Sequence, residues 1–139
     1  MEQRKKIYLG GLSKDSNWKH RLISLLRVIR ADYTISSDDF LNKIEEEKIE
    51  PHDYYIYAIS PLAGNIPTIA EAVNCSIKHP YKTLFLIIMN DECVEFEQDN
   101  LHYITLINNR MIKNDAIVFF DMADLIYHIL EKRPQSIMS

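Results

Sequence analysis

Glu71 is the side chain of this sequence best placed to do chemistry. It belongs to the stretch SPLAGNIPTIAEAV, residues 60–73, which follows the apolar run YYIYAI. The pattern predicts a strand, a loop and then a helix over about residues 67–79, with Glu71 in the first turn of the helix. A helix N-terminus favours an ionised carboxylate, and an attacking carboxylate must be ionised. Thr68 and Glu71 also have the spacing of a capping box, in which the glutamate binds the helix backbone, so this alternative stays open.

The elements that would position Glu71 alternate along the chain. Apolar runs predict strands over residues 6–11, 31–35, 53–60, 82–89 and 116–120. Helical patterns predict helices within 15–30, 36–50, 67–79, 92–114 and 121–133, with Asp15 or Ser16 capping the first and Asp121 the last. In the first helix, inward positions are predicted for Trp18, Leu22, Leu25, Leu26 and Ile29.

Strict alternation of strand and helix predicts parallel strands joined by right-handed crossovers. We therefore expect a three-layer α/β domain that occupies residues 1–139 as one unit. With five strands, the natural arrangement is the flavodoxin-like (Rossmann-like) sheet with strand order 2-1-3-4-5. Its ligand crevice lies beyond the carboxyl ends of the first and third strands, where the winding direction reverses.

Several polar residues and glycines fall around this crevice. Tyr8 lies in the first strand, and Gly10 and Gly11 end this strand. The two glycines could allow the close approach of a sugar or phosphate, or they could simply form the turn. Asp38 and Asp39 follow the second strand, and they could bind ribose hydroxyls, relay a proton or cap a helix. One member of the EEE run at 45–47 could point along the crevice, although such runs are most often solvated.

The bulk composition argues against several classes of protein. The chain has 16 basic and 20 acidic residues, which disfavours a nucleic-acid surface built on net positive charge. No run approaches the roughly 18 apolar residues of a membrane span, and the start has no signal-peptide pattern. Cys75 and Cys93 have no metal or redox spacing, so we expect a reduced, cytoplasmic protein.

The motifs of several common sites are also absent. The five histidines are scattered without ligand spacing, and the chain has no P-loop, dinucleotide fingerprint or GxSxG elbow. A receiver domain would need acidic residues after the first strand and an aspartate ending the third, where this chain has GGLS and Ser60. We expect neither a metal nor a cofactor.

With these residues in view, the sequence resembles the nucleoside 2-deoxyribosyltransferase-like family. The likeness rests on KIYLGGLSKDSNWKHRLISLL, on the aspartates of YTISSDDF and on HDYYIYAISPLAGNIPTIAEAV with the segment after it. It covers roughly residues 6–90 and is closest to the shorter branch, with its LGG start and IAEAV-type helix. The resemblance implies the five-stranded fold, a homo-oligomer, and cleavage of the N-glycosidic bond of 2′-deoxynucleosides or their monophosphates.

The resemblance also implies roles for particular residues. Glu71 matches the nucleophile that attacks C1′ and forms a covalent deoxyribosyl–enzyme, and Tyr8 matches the tyrosine that supports this glutamate or the sugar. The proton of the nucleobase would be handled by Asp38, Asp39 or Glu45. Substrate-binding positions are predicted at Gly10, Gly11, Ser60 and Asn65. In longer members of the family, an asparagine near the C-terminus reaches into a neighbouring subunit's site, and Asn114 is predicted as its counterpart. Asn65 departs from the acidic or glycine residue of some members, which leaves recognition of the 5′ group open.

Two other functions fit the same residues. A TIR-like NAD glycohydrolase also has a Ser-Pro after the third strand and a catalytic glutamate in the next helix, but this chain has Ile69-Ala70 in place of the usual tryptophan-cysteine pair. A non-catalytic nucleotide-binding module would keep the pocket without turnover. For the main prediction, capture of the sugar by a second base would make the enzyme a transferase, and capture by water a hydrolase. The sequence leaves both open.

Overall fold

The computed structural model of the chain describes residues 4–10, 17–35, 51–62 and 66–130. Within these ranges, five parallel strands form one sheet in the order β2-β1-β3-β4-β7. The strands are β1 (Lys6–Leu9), β2 (Asp32–Ile35), β3 (Tyr54–Ile59), β4 (Thr83–Ile87) and β7 (Ile117–Phe119). This confirms the predicted flavodoxin-like sheet with strand order 2-1-3-4-5, in which β7 is the fifth strand.

Helices and a small hairpin complete the described part of the chain. The helices are α1 (Asn17–Val28), α2 (Ile66–Lys78), α3 (Gln98–Lys113) and α4 (Met122–Leu130). The hairpin consists of β5 (Asn90–Asp91) and β6 (Val94–Glu95), which pair antiparallel. None of the described helices combines the length and the hydrophobicity needed to cross a membrane.

One face of the sheet packs against α1 and α4. Side chains of a strand point alternately to the two faces, and Ile7, Leu9, Ile56, Leu84 and Leu86 point to this one. The helices cover them with Trp18, Leu22, Leu26, Leu125 and Ile129. Leu25 and Ile29 of the first helical segment are half-buried against the same core, so its predicted inward positions are confirmed.

The opposite face packs against α2 and α3. Its core contains Tyr8, Tyr57, Ile59, Phe85 and Ile87 from the strands, with Ala72, Cys75, Ile104 and Met111 from the helices. Strands β3 and β4 are therefore covered on both sides, which explains why their sequences are continuously apolar. The predicted three layers are confirmed.

The predicted boundaries differ from the structure in a few places. The hairpin was not expected, because its turn places Glu92 and Cys93 at φ angles of 52° and 68°, and neither is the usual glycine or asparagine. Asp121 does cap α4, since its Oδ1 accepts the N–H of Ala123 at 2.9 Å. The predicted helix within 36–50 and the caps at Asp15 or Ser16 lie outside the described residues.

Candidate functional site

Glu71 lies on the side of α2 that faces the sheet. It is in helical register with Thr68, Ala72 and Cys75, which are 2%, 0% and 7% exposed. The helix packs mainly against β3. Glu71 itself is half-buried, and protein atoms enclose its Oε2 atom. Because burial disfavours a charged group, a carboxylate on this stripe is a candidate for a role in chemistry.

The start of α2 corrects two expectations about Glu71. The helix begins at Ile66, so Glu71 is its sixth residue and not part of the first turn. Thr68 is the third helical residue and cannot be the N-cap that a Thr68–Glu71 capping box requires. The helix starts early because Pro67 needs no N–H partner in a first turn. The stabilisation of an anion by the helix N-terminus, which falls off within one turn, is correspondingly weaker at Glu71.

Tyr57 of β3 packs against the sheet-facing side of α2, on which Glu71 also lies, and the sequence did not predict this. Tyr57 is 6% exposed and packs against Gly10 at the end of β1. A Cβ atom on Gly10 would lie only 2.1 Å from Cε1 of Tyr57 and 2.6 Å from Cζ. The space at Gly10, predicted to admit a sugar or phosphate, is therefore filled on this side by the tyrosine ring.

Tyr57 shares its core with Cys75 of α2. Burial raises the pKa of Tyr57 far above its usual value, and electrostatic interactions with Cys75, Tyr8 and Glu71 add to the effect. Burial also raises the pKa of Cys75. Tyr57 is thus a neutral phenol that shares its core with Tyr8, the residue predicted to support Glu71.

Tyr8 is 7% exposed and lies on the same face of the sheet as Tyr57. Its ring centroid is 5.5 Å from that of His52 and 5.9 Å from that of Tyr55. Tyr55 stacks on His79 with a centroid distance of 4.2 Å and an interplanar angle of 16°. Tyr8 therefore lies between the core that contains Tyr57 and the aromatic rings of His52, Tyr55 and His79 near the amino edge of the sheet.

Ser60 ends β3 and is buried at the carboxyl edge of the sheet, 3% exposed. Its hydroxyl donates to Oδ2 of Asp91 at 2.7 Å and accepts the N–H of Leu62 at 3.2 Å. Asp91, in β5, is itself 5% exposed. The Ser60–Asp91 pair links two segments: the chain after β3, and the hairpin after β4. The Ser60 hydroxyl, which was predicted to bind substrate, therefore has partners within the protein.

Asn114 lies at the opposite edge of the sheet. It is the C-cap of α3 and precedes β7, and its Nδ2 donates to Oγ of Ser76 at 3.0 Å. Ser76 belongs to the last part of α2, which precedes β4. Within one chain, the structure therefore does not bring Asn114 to the carboxyl edge where Ser60 lies.

The other predicted site residues, Gly11, Asp38, Asp39, Glu45 and Asn65, lie outside the described residues. In the ranges that are described, no group of three or more His, Cys, Asp or Glu side chains is arranged to hold a metal ion.

The structure adds Tyr57, Cys75 and Asp91 to the region around the predicted site. Two of them left a signal in the sequence. Cys75 follows Glu71 by four positions, the spacing of one helix face, and Tyr57 alternates with Ile56 and Ala58 along β3. Asp91 left none, because its approach to Ser60 depends on the hairpin.

No protein-family model, no curated protein and no solved structure gives a significant match to this chain. Its function is therefore argued from its own residues.

Proposed function

We propose that this protein cleaves the N-glycosidic bond of 2′-deoxynucleosides or deoxynucleotides through a covalent intermediate on Glu71. The observation that best supports the proposal is the position of this half-buried carboxylate on the sheet-facing stripe of α2, whose Ala72 and Cys75 share a core with Tyr8 and Tyr57. The fold supports it as well, because a flavodoxin-like sheet carries its ligands near the ends of β1 and β3.

The chemistry follows the pattern of a retaining glycosidase. A Glu71 oxygen attacks C1′ as the bond from C1′ to the base nitrogen breaks, and the bonding electrons leave with the base. A general acid protonates the base, a step typically worth about 10²–10⁴ in rate. Water or a second base then attacks C1′ of the glutamyl ester and releases the carboxylate. The candidates for the general acid are Asp38, Asp39 and Glu45.

Glu71 would be assisted by tyrosine side chains on the face of the sheet that α2 covers. Burial keeps the pKa of Tyr57 high, so this side chain brings no competing negative charge to the carboxylate. Tyr8, on the same face of the sheet, would support Glu71 or the sugar as the resemblance suggests. The same resemblance supports a homo-oligomer that acts on a small nucleoside or nucleotide.

The decisive experiment is the intact mass of the protein after brief exposure to 2′-deoxynucleosides, their 5′-monophosphates or NAD, together with chromatography of released base. We expect free base and a deoxyribosyl adduct that maps to Glu71. Glu71→Gln should remain folded and lose both signals. Glu97→Gln is the matched control, since Glu97 is exposed and its side chain makes no cap hydrogen bond at the start of α3, and it should behave as wild type.

Other outcomes would overturn the proposal. Base release by Glu71→Gln near the wild-type rate would exclude Glu71 as nucleophile. Release from NAD alone would favour a TIR-like glycohydrolase. A ligand-induced rise in melting temperature without any base release would favour a nucleotide-binding module.

A further inference from the structure

We propose that this protein forms a homodimer through α3, with the α3 helices of the two copies packed antiparallel. The contacting residues are Asp99, Tyr103, Leu106 and Arg110, which we call the α3 seam. The inference goes beyond the proposed function and does not depend on its chemistry.

The four residues of the α3 seam share one exposed face of the helix. All four are exposed, and Tyr103 and Leu106 keep 61% and 52% of their surface accessible. They follow one another at intervals of four, three and four positions, which places side chains on one side of a helix. The same intervals separate the a and d positions of a coiled coil, along which two helices pack.

The charges at the two ends of the seam make it complementary to a second copy of itself. Asp99 lies in the first turn of α3 and Arg110 in the last. Among the described residues, neither side chain has an ion-pair partner. When two copies of α3 lie antiparallel, Asp99 of each copy comes opposite Arg110 of the other.

The apolar residues of the seam fit the same arrangement. Tyr103 of one copy comes opposite Leu106 of the other. The midpoint of residues 103 and 106 is also the midpoint of residues 99 and 110, so one twofold axis satisfies the apolar and the charged pairs together. Tyrosine and arginine are also among the residues that interfaces favour.

The helix dipole explains only part of this pattern. An acidic residue near the N-terminus and a basic residue near the C-terminus stabilise a helix whichever way they point. The dipole gives no reason for both charges to share a face with two exposed apolar side chains. A second exposed stripe of α3 runs from Leu101 to Ile112 through Thr105, and none of these three residues is charged. That stripe therefore serves as the comparison.

Sedimentation velocity of the wild-type protein over about 1–300 μM tests for the dimer. A seam of one helix from each copy is small beside the roughly 1,200–2,000 Å² of standard interfaces, so we expect a dissociation constant in the micromolar range. Leu106→Lys places two like charges near the twofold axis and should raise this constant at least about 10-fold. Ile112→Lys is the matched control, since Ile112 is 55% exposed on the same helix but outside the seam, and it should dimerise as wild type does.

Charge reversal tests the antiparallel arrangement. Asp99→Arg and Arg110→Asp each bring like charges together at both ends of the seam, so each variant alone should dimerise about 10-fold more weakly than wild type. In an equimolar mixture of the two variants, the heterodimer has opposite charges at both ends. The mixture should therefore recover the dimer, and more so at low salt. Urea midpoints of all variants establish that the native fold is kept.

Several results would overturn the inference. Wild-type protein that stays monomeric at the highest concentration would leave the seam to solvent or to a different protein. A dimer that persists in Leu106→Lys, or that Ile112→Lys abolishes, would use another surface, and a mixture that stays monomeric would exclude the antiparallel pairing. The proposed function is judged separately, because a dimer without base release rejects only the chemistry, and base release by a monomer rejects only the α3 interface.

Discussion

Replacing Gly10 by alanine should destabilise the protein, and the size of the effect can be worked out from the geometry. The new Cβ would lie 2.1, 2.6 and 2.7 Å from three ring carbons of Tyr57, whereas ordinary contacts are 3.4–4 Å. The ring would have to move by more than 1 Å. Because Tyr57 is buried in a core with Ala72 and Cys75 of α2, its ring can move only by displacing neighbouring side chains.

The expected magnitude combines two opposing effects. Overpacking of a core typically costs about 1–3 kcal/mol. Alanine also restricts the unfolded chain, which stabilises the native state by about 0.4–1 kcal/mol where the backbone accepts it. The φ angle of Gly10 is outside the left-handed region, so the backbone does accept alanine. We therefore expect a net loss of about 1–2 kcal/mol, or roughly 2–8 °C in melting temperature.

Urea unfolding of wild type and Gly10→Ala measures this loss, as a lower midpoint with an unchanged slope. A second pair of proteins isolates the contact. In a Tyr57→Val background the ring is gone, so Gly10→Ala should be neutral or slightly stabilising. Equal or higher stability of Gly10→Ala in the presence of Tyr57 would refute the packing argument, because the ring would then have room to move.

Two further predictions concern the loops and the amino edge of the sheet. Ser60→Ala should lower the free energy of unfolding by about 1–3 kcal/mol, because it leaves the buried carboxylate of Asp91 without its donor. In the protein that already carries Ser60→Ala, the further change Asp91→Ala should cost much less stability than Asp91→Ala costs in the wild type. Burial lowers the pKa of His79 in the folded state, and the charge of Lys82 lowers it further. The contribution of His79 to stability is therefore present above about pH 6.5, the usual pKa of histidine, and is lost as the pH falls. The urea midpoint should fall less between pH 7.5 and 5.5 in His79→Gln than in wild type. The exposed control His102→Gln should show the same fall as wild type. If the midpoint of His79→Gln falls as steeply with pH as that of wild type, the pH dependence belongs to other groups.

The fold could be predicted because its signals are local. Strands β3 and β4 are continuous apolar runs, and α1 shows its buried stripe at helical spacing. The same local reasoning failed where two signals compete. The Thr68–Glu71 spacing suggested a cap, but Pro67 suits a first turn, and the helix begins before Thr68.

The site could be predicted only in part, since its remaining residues are defined by contacts between distant segments. Three tyrosines lie within four positions of β3, and the sequence alone does not say which of them meets Gly10. Tyr54 points to one core, while Tyr57 points to the other. Gly10 looked like a residue of the turn or a place for substrate, and its contact with Tyr57 appears only when β1 and β3 are neighbours.

The sheet-facing stripe of α2 is the reason why we propose a functional role for Glu71. Thr68, Ala72 and Cys75 are the small side chains that a helix needs for close packing on a sheet, and a glutamate among them gives up some stability, because its charge is partly removed from water. With α2 beginning at Ile66, the capping box no longer offers a structural reason for that cost. Natural proteins keep such locally unfavourable choices mainly at functional sites. A half-buried glutamate among small side chains is therefore the feature of α2 on which the proposed function depends.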